Sequence, residues 1–133
     1  MPNTLRSYQL TKILVVDDDP SIRFMLRLIL ERGGYEVSEA HHGAAALNQM
    51  KDTLPDVVVT DMMMPVMDGR ELIERLRSEP RTAGLLILVV SGNPDALEVA
   101  RTADAVLGKP FLPANLLETV NSLLGAKRVG GTV

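Results

Sequence analysis

Short aliphatic runs that each stop on a polar residue constrain this chain more than any other feature. Val57-Val58-Val59 ends at Thr60-Asp61, Ile13-Leu14-Val15-Val16 ends at Asp17-Asp18-Asp19, and Leu85 to Val90 ends at Ser91. A β-branched or aliphatic run with no polar alternation suits a strand covered on both faces. Between the runs lie stretches with helical spacing. Ile22, Leu26, Ile29 and Leu30 follow Pro20; Leu72, Ile73 and Leu76 follow Gly69; Leu116, Leu117, Val120, Leu123 and Leu124 lie near the end. Two weaker strands, Tyr35 to Ala40 and Ala105 to Leu107, and a short Ala-rich helix from Ala44 to Met50 complete an alternation of strand and helix. That alternation builds an α/β domain, a parallel sheet wrapped by helices on both faces.

Local signals set the boundaries. Asp19 reads as the N-cap before Pro20, Gly33-Gly34 as the stop of that helix, and Asp68 as the cap of the helix after Gly69. Asn93-Pro94 reads as the start of a short helix reaching Thr102. Arg23, Arg27, Glu31 and Arg32 mark the solvent side of the first helix, and a Glu71–Arg75 pair lies outside the third. Residues 1–11 lack a clear period and read as an N-terminal arm; residues 12–124 read as one domain. Residues 125–133, with Gly125 and the Lys127-Arg128 pair, read as a flexible tail or the start of a linker.

Composition narrows the classes. At 133 residues and 46% apolar, the chain has enough for one domain with a true core. Aromatic residues are only 3%, so that core is aliphatic. The absence of cysteine excludes disulfides and zinc–thiolate sites. A net charge of -3 gives no general attraction to nucleic acid. No apolar run reaches spanning length, since Arg23 and Arg27 break the longest, and the chain reads as cytoplasmic with no membrane contact. The adjacent His41 and His42 point in different directions and do not read as a metal site. The Met62-Met63-Met64 run with Met67 reads mainly as packing, with some adaptable surface.

Chemistry collects at the carboxyl ends of the strands, which share one edge in a parallel sheet. There the sequence places Asp17, Asp18 and Asp19, then Asp61, Ser91 and Lys109-Pro110. Asp19 is accounted for as a cap. The other carboxylates cannot crowd together ionised without a cation, and an all-oxygen set suits Mg²⁺. A lysine and a hydroxyl beside a metal-bound carboxylate suit phosphoryl transfer onto that carboxylate. Asp61 would be the nucleophile and would carry an aspartyl-phosphate.

These residues, in this order, resemble the receiver domain of two-component response regulators, chemotaxis-type single-domain members included. The likeness rests on Val15-Val16-Asp17-Asp18, Asp61 with Met64-Pro65 and Met67-Asp68-Gly69 after it, Ser91, and Lys109-Pro110-Phe111, and it covers about Lys12 to Leu124. It implies a flavodoxin-like, doubly wound sheet of five parallel strands in the order 2-1-3-4-5. It implies Asp61 as phosphoacceptor, Asp17 and Asp18 as the acidic pair that holds Mg²⁺, and the backbone carbonyl of Met63 as a third protein ligand. Lys109 would bind the phosphoryl group, through a Lys109–Pro110 bond typically cis, and Ser91 would be the switch hydroxyl. The implied partners are a sensor histidine kinase or phosphotransfer protein as donor and a downstream protein as reader, the domain itself being a monomer or a phosphorylation-dependent dimer. Its catalysis would be confined to its own phosphorylation and dephosphorylation, so it is not an enzyme in the turnover sense.

Three departures accompany the likeness. Val106 stands where the family usually has an aromatic switch partner. Residues 92–108 between Ser91 and Lys109 are about one helical turn fewer than usual, so the intervening helix should be short or distorted. Residues 125–133, after Leu124, are expected to carry no effector domain. Two alternatives stand beside the main reading. One is a degenerate, phosphorylation-independent receiver that serves as an interaction module. The other is a phosphohydrolase of the haloacid-dehalogenase type, whose Asp-x-Asp spacing Asp17-Asp18-Asp19 satisfies but which leaves Asp61 without a role.

Overall fold

The computed structural model describes residues 10–92 and 101–132, with side chains described as far as Lys127. The short helix expected from Asn93 lies largely outside the described residues, as do residues 1–9 of the expected arm. The described elements are β1 (Lys12–Val16), α1 (Pro20–Arg32), β2 (Glu36–Ala40), α2 (Gly43–Met50), β3 (Val57–Thr60), α3 (Gly69–Ser78), β4 (Leu86–Ser91), β5 (Ala105–Gly108) and α4 (Pro113–Thr132). All neighbouring strands pair in parallel, in the order β2-β1-β3-β4-β5. The expected topology is therefore the observed one.

Strand periodicity explains why the apolar runs had to be continuous. Successive side chains point to opposite faces. Leu14, Val16, Val58, Ile87 and Val89 face α2 and α3, where they meet Ala46, Met50, Leu72, Ile73 and Leu76. Ile13, Val15, Val57, Val59, Leu88 and Val90 face α1 and α4, where they meet Leu26, Leu30, Leu116 and Val120. Both clusters are buried, so a polar residue at Val57, Val58 or Val59 would be stranded in hydrocarbon.

The caps form as the sequence implied. Asp19 accepts hydrogen bonds from the Ser21 and Ile22 amides at 2.8 and 3.4 Å, with Pro20 as first helical residue. Asp68 accepts from the Glu71 amide at 2.9 Å. His42, which had no assigned role, caps α2 by accepting from the Ala45 amide at 3.0 Å through Nδ1. Gly33 ends α1, and Gly34 takes φ +94°, a conformation that favours glycine.

The C-terminal boundary differs from expectation. α4 continues through Thr132 rather than giving way to an irregular tail after Leu124. An established helix adds a hydrogen bond with each residue it gains, so Gly125 weakens the helix without stopping it. Lys127 secures the extension, its ammonium donating to the Gly84 carbonyl at 3.1 Å. Among the described residues, no helix is long and apolar enough to cross a membrane.

The loop after β3 holds a backbone outlier. Val66 has φ 68°, is 79% exposed, and centres a γ-turn in which the Met67 amide donates to the Pro65 carbonyl at 2.7 Å. A β-branched residue is strained there. Val66→Gly relieves strain of roughly 1–3 kcal/mol and gives back about 0.5–1 kcal/mol of unfolded-chain entropy. A net gain of about 1 kcal/mol is expected in thermal or urea unfolding, and a net loss would contradict the strained-turn account.

Candidate functional site

Asp17, Asp61 and Lys109 each follow the end of a strand and are fastened by the adjacent strand. The Asp17 amide donates to the Ala40 carbonyl of β2 at 3.2 Å, and the Asp61 amide donates to the Val16 carbonyl of β1 at 3.0 Å. The Lys109 amide donates to the Ser91 carbonyl of β4 at 3.0 Å. The ladder thus runs one residue beyond the apolar core and delivers chemistry at its edge. Lys109 leads into a cis bond to Pro110.

The side chains converge. The Lys109 ammonium lies 3.6 Å from Asp61 Oδ1 and 3.7 Å from Asp17 Oδ2. Asp17, Asp18 and Asp61 each offer a carboxylate oxygen, all within 4.8 Å of one another. Asp17 is 1% exposed, while Asp18 is open to solvent. One Asp17 oxygen accepts from the Asp19 amide at 2.9 Å; the other, Oδ2, is buried with no hydrogen-bond partner. Burial raises the Asp17 pKa above its usual value, and the charges of Asp61 and Asp18 push the same way against the Asp19 amide and Lys109.

The site thus carries more carboxylate than a single lysine balances. An orphaned buried oxygen, two neighbouring carboxylates and no sulfur or imidazole donor make a hard set that fits a divalent cation with oxygen preference. Asp61 Oδ1 is already engaged by the Met62 amide at 2.8 Å and faces Lys109. Ser91 is 5% exposed at the end of β4. Met63 follows Asp61 by two positions, and its side chain is 70% exposed. Val106 packs half-buried against the core on the α2/α3 side.

A model of the response regulator receiver domain matches residues 13–121, nearly the whole described sheet and its helices. The chain belongs to the receiver domain family. Receiver domains are signalling modules, not enzymes of the ordinary kind. The response regulator MprA of Mycobacterium avium is 40% identical over 117 residues, 85% of this chain and 50% of that protein. The chain therefore spans about half the length of the curated regulators it matches. A CheY-like receiver domain protein from Methanospirillum hungatei superposes with a TM-score of 0.83 at 31% identity, covering 92% of this chain and 99% of that one. The response regulator TrrA of Thermotoga maritima, solved in complex with Mg²⁺-BeF, gives 0.79 at 30% identity, covering 86% and 99%.

Three features of this receiver domain's site were not read from sequence. Gly69 lies so close to the end of β3 that an added Cβ would collide with the Asp61 carbonyl oxygen and meet Met62 Cα at 2.9 Å. The buried Thr60 hydroxyl donates to that same carbonyl at 2.8 Å. Arg23, assigned to the wet side of α1, instead donates to the Asp17 carbonyl at 2.7 Å. The last had a signal. Helical side chains lean toward the helix N-terminus, so a long cation one turn after Asp19 reaches back over the loop that carries Asp17 and Asp18.

Proposed function

We propose that this receiver domain accepts a phosphoryl group on Asp61 from a phosphohistidine of a sensor histidine kinase or phosphotransfer protein in the cytoplasm. The observation that carries the reading is one ammonium, Lys109, set between Asp61 and a buried, under-satisfied Asp17. With Oδ1 held by the Met62 amide, Asp61 attacks phosphorus through Oδ2. An oxygen–phosphorus bond forms, the nitrogen–phosphorus bond breaks, and the imidazole leaves with the electron pair and takes up a proton. Lys109 neutralises phosphoryl oxygens as they swing past Asp61, and the Ser91 hydroxyl bonds one of them in the product. Asp17, Asp18, Asp61 and the Met63 carbonyl would hold Mg²⁺, which supplies further positive charge to those oxygens.

Phosphorylation is read by a downstream protein, with the domain a monomer or a phosphorylation-dependent dimer. Output does not depend on an aromatic rotamer, because Val106 occupies that position. The test is intact-mass spectrometry after treatment with acetyl phosphate and Mg²⁺. A single phosphoryl adduct is expected on the native chain and none on Asp61→Asn. An equal adduct on the variant would sink the assignment.

A further inference from the structure

Arg23 is the residue whose position the reaction scheme does not use. It lies on the first turn of α1 with its side chain largely covered, and its guanidinium makes two kinds of bond. Nη1 donates to the backbone carbonyl of Asp17 at 2.7 Å, and Nε donates to Glu39 Oε1 on β2 at 3.1 Å. Glu39 is fixed in turn. Its other carboxylate oxygen accepts from Arg27 Nη1 at 2.8 Å, and its carbonyl accepts from the Gln49 side chain at 2.6 Å. The Arg27 bond, with Arg23 behind it, holds the Glu39 carboxyl below its ordinary pKa, so Glu39 is ionised and balances the guanidinium.

The bond to Asp17 is the one with a consequence for the site. Asp17 has its amide tied to Ala40 and its carbonyl tied to Arg23, so both peptide planes around it are held from outside the loop. The second of those planes is the Asp17–Asp18 peptide. It sets the direction in which Asp18 leaves the backbone, and Asp18 is otherwise an exposed residue between a strand and a helix cap. We infer that Arg23, braced by Glu39, is a positioning residue that holds the Asp17–Asp18 peptide and thereby sets the divalent-cation affinity of the acidic pair.

The inference rests on the metal-binding reading above. It is distinct from general ion-pair stabilisation, because Arg27 shares the same Glu39 carboxylate but makes no bond to Asp17. Arg27→Ala therefore controls for loss of the ion pair alone. Mg²⁺ affinity of the full chain is read by calorimetry and by shifts of the Asp18 and Asp19 amides in NMR titration. The Asp17 carbonyl ¹³C shift in metal-free protein reports the hydrogen bond itself.

Arg23→Met is expected to weaken Mg²⁺ binding about tenfold, the usual effect of losing a residue that orients a ligand. It should also move the Asp17 carbonyl shift before any metal is added. Arg27→Ala should change affinity less than about twofold. Arg23→Lys keeps the charge and one reach, and should recover part of the affinity even if Arg23→Met folds poorly. Affinity unchanged in both Arg23 variants, or lowered equally by Arg27→Ala, overturns the inference while leaving the metal site standing. A native chain that binds no Mg²⁺ overturns the metal-binding reading and this inference with it.

Discussion

Replacing Gly69 with alanine is expected to remove about 3 kcal/mol of stability and most of the phosphoryl loading on Asp61. The cause is a backbone collision, not a lost contact. The new Cβ would stand inside the van der Waals radius of the Asp61 carbonyl oxygen and 2.9 Å from Met62 Cα. Neither is the end of a flexible side chain. The same residues are locked from other sides, since the Gly69 amide donates to the Met62 carbonyl at 3.0 Å and the Thr60 hydroxyl holds the Asp61 carbonyl. Relief must come from moving α3 away from the end of β3, which shifts the Asp61 carboxylate against Lys109. Thermal melting should fall by roughly 10 °C for a domain of this size. Gly84→Ala is the control, because an added Cβ there meets nothing within 4 Å. Near-native melting of Gly69→Ala would show that the turn yields more easily than its geometry implies.

Asp17→Asn is expected to stabilise the metal-free domain and to abolish its response to Mg²⁺. Asp17 keeps a buried Oδ2 with no hydrogen-bond partner beside two other carboxylates, and an amide removes that charge while keeping the bond from the Asp19 amide. The gain should be on the order of 1 kcal/mol near neutral pH, because burial and the two neighbouring carboxylates disfavour the ionised form and each unit of pKa displacement is worth about 1.4 kcal/mol. The pH dependence follows from the direction of the shift. The folded pKa lies above the ordinary value of 3.8, so the folded state binds the proton more tightly than the unfolded chain. The stability that proton contributes is complete below 3.8 and is lost as pH rises through the folded value. Glu39, whose folded pKa is lowered chiefly by Arg27, acts in the opposite sense and loses its contribution as pH falls.

The difference between native chain and variant isolates Asp17. The Asp17→Asn advantage should be smallest below 3.8, grow as pH rises from there to the folded pKa, and stay level above it. With Mg²⁺ at a hundred times its dissociation constant, the native domain should gain about 2.7 kcal/mol and the variant little. The order of melting temperatures then reverses between metal-free and Mg²⁺-loaded samples. Parallel shifts of both proteins with Mg²⁺ would remove Asp17 from the ligand set.

The strands, the order of site residues and two of the caps were legible because each rests on short-range chemistry. An unbroken run such as Val57-Val58-Val59 needs both faces covered, and a carboxylate before Pro20 or Gly69 finds free amides at once. What escaped depends on reach or on tertiary space. Arg23 looked like solvent-facing charge until its partners on β2 and in the loop after β1 were in place. Gly69 looked like a first-turn glycine, because nothing in its neighbours announces how near the Asp61 carbonyl returns. His42 was set aside as a loop histidine, yet its ring nitrogen serves as a cap in the manner of an Asp oxygen. Residues 125–133 read as a tail or linker for want of a core pattern, whereas the cooperativity of a packed helix and the Lys127–Gly84 bond carry α4 further.

The fastening of Asp17, Asp61 and Lys109 by neighbouring strands makes the site a property of register. Sliding β3 by one residue along β1 would carry Asp61 about 3.3 Å and turn its side chain to the opposite face of the sheet. The helices touch it only at their first turns, through Arg23 of α1 and Gly69 of α3. Their outer surfaces, where Phe24 on α1 is 59% exposed, carry none of the residues that build the site. Reaction and contact surface thereby fall to different parts of one small fold.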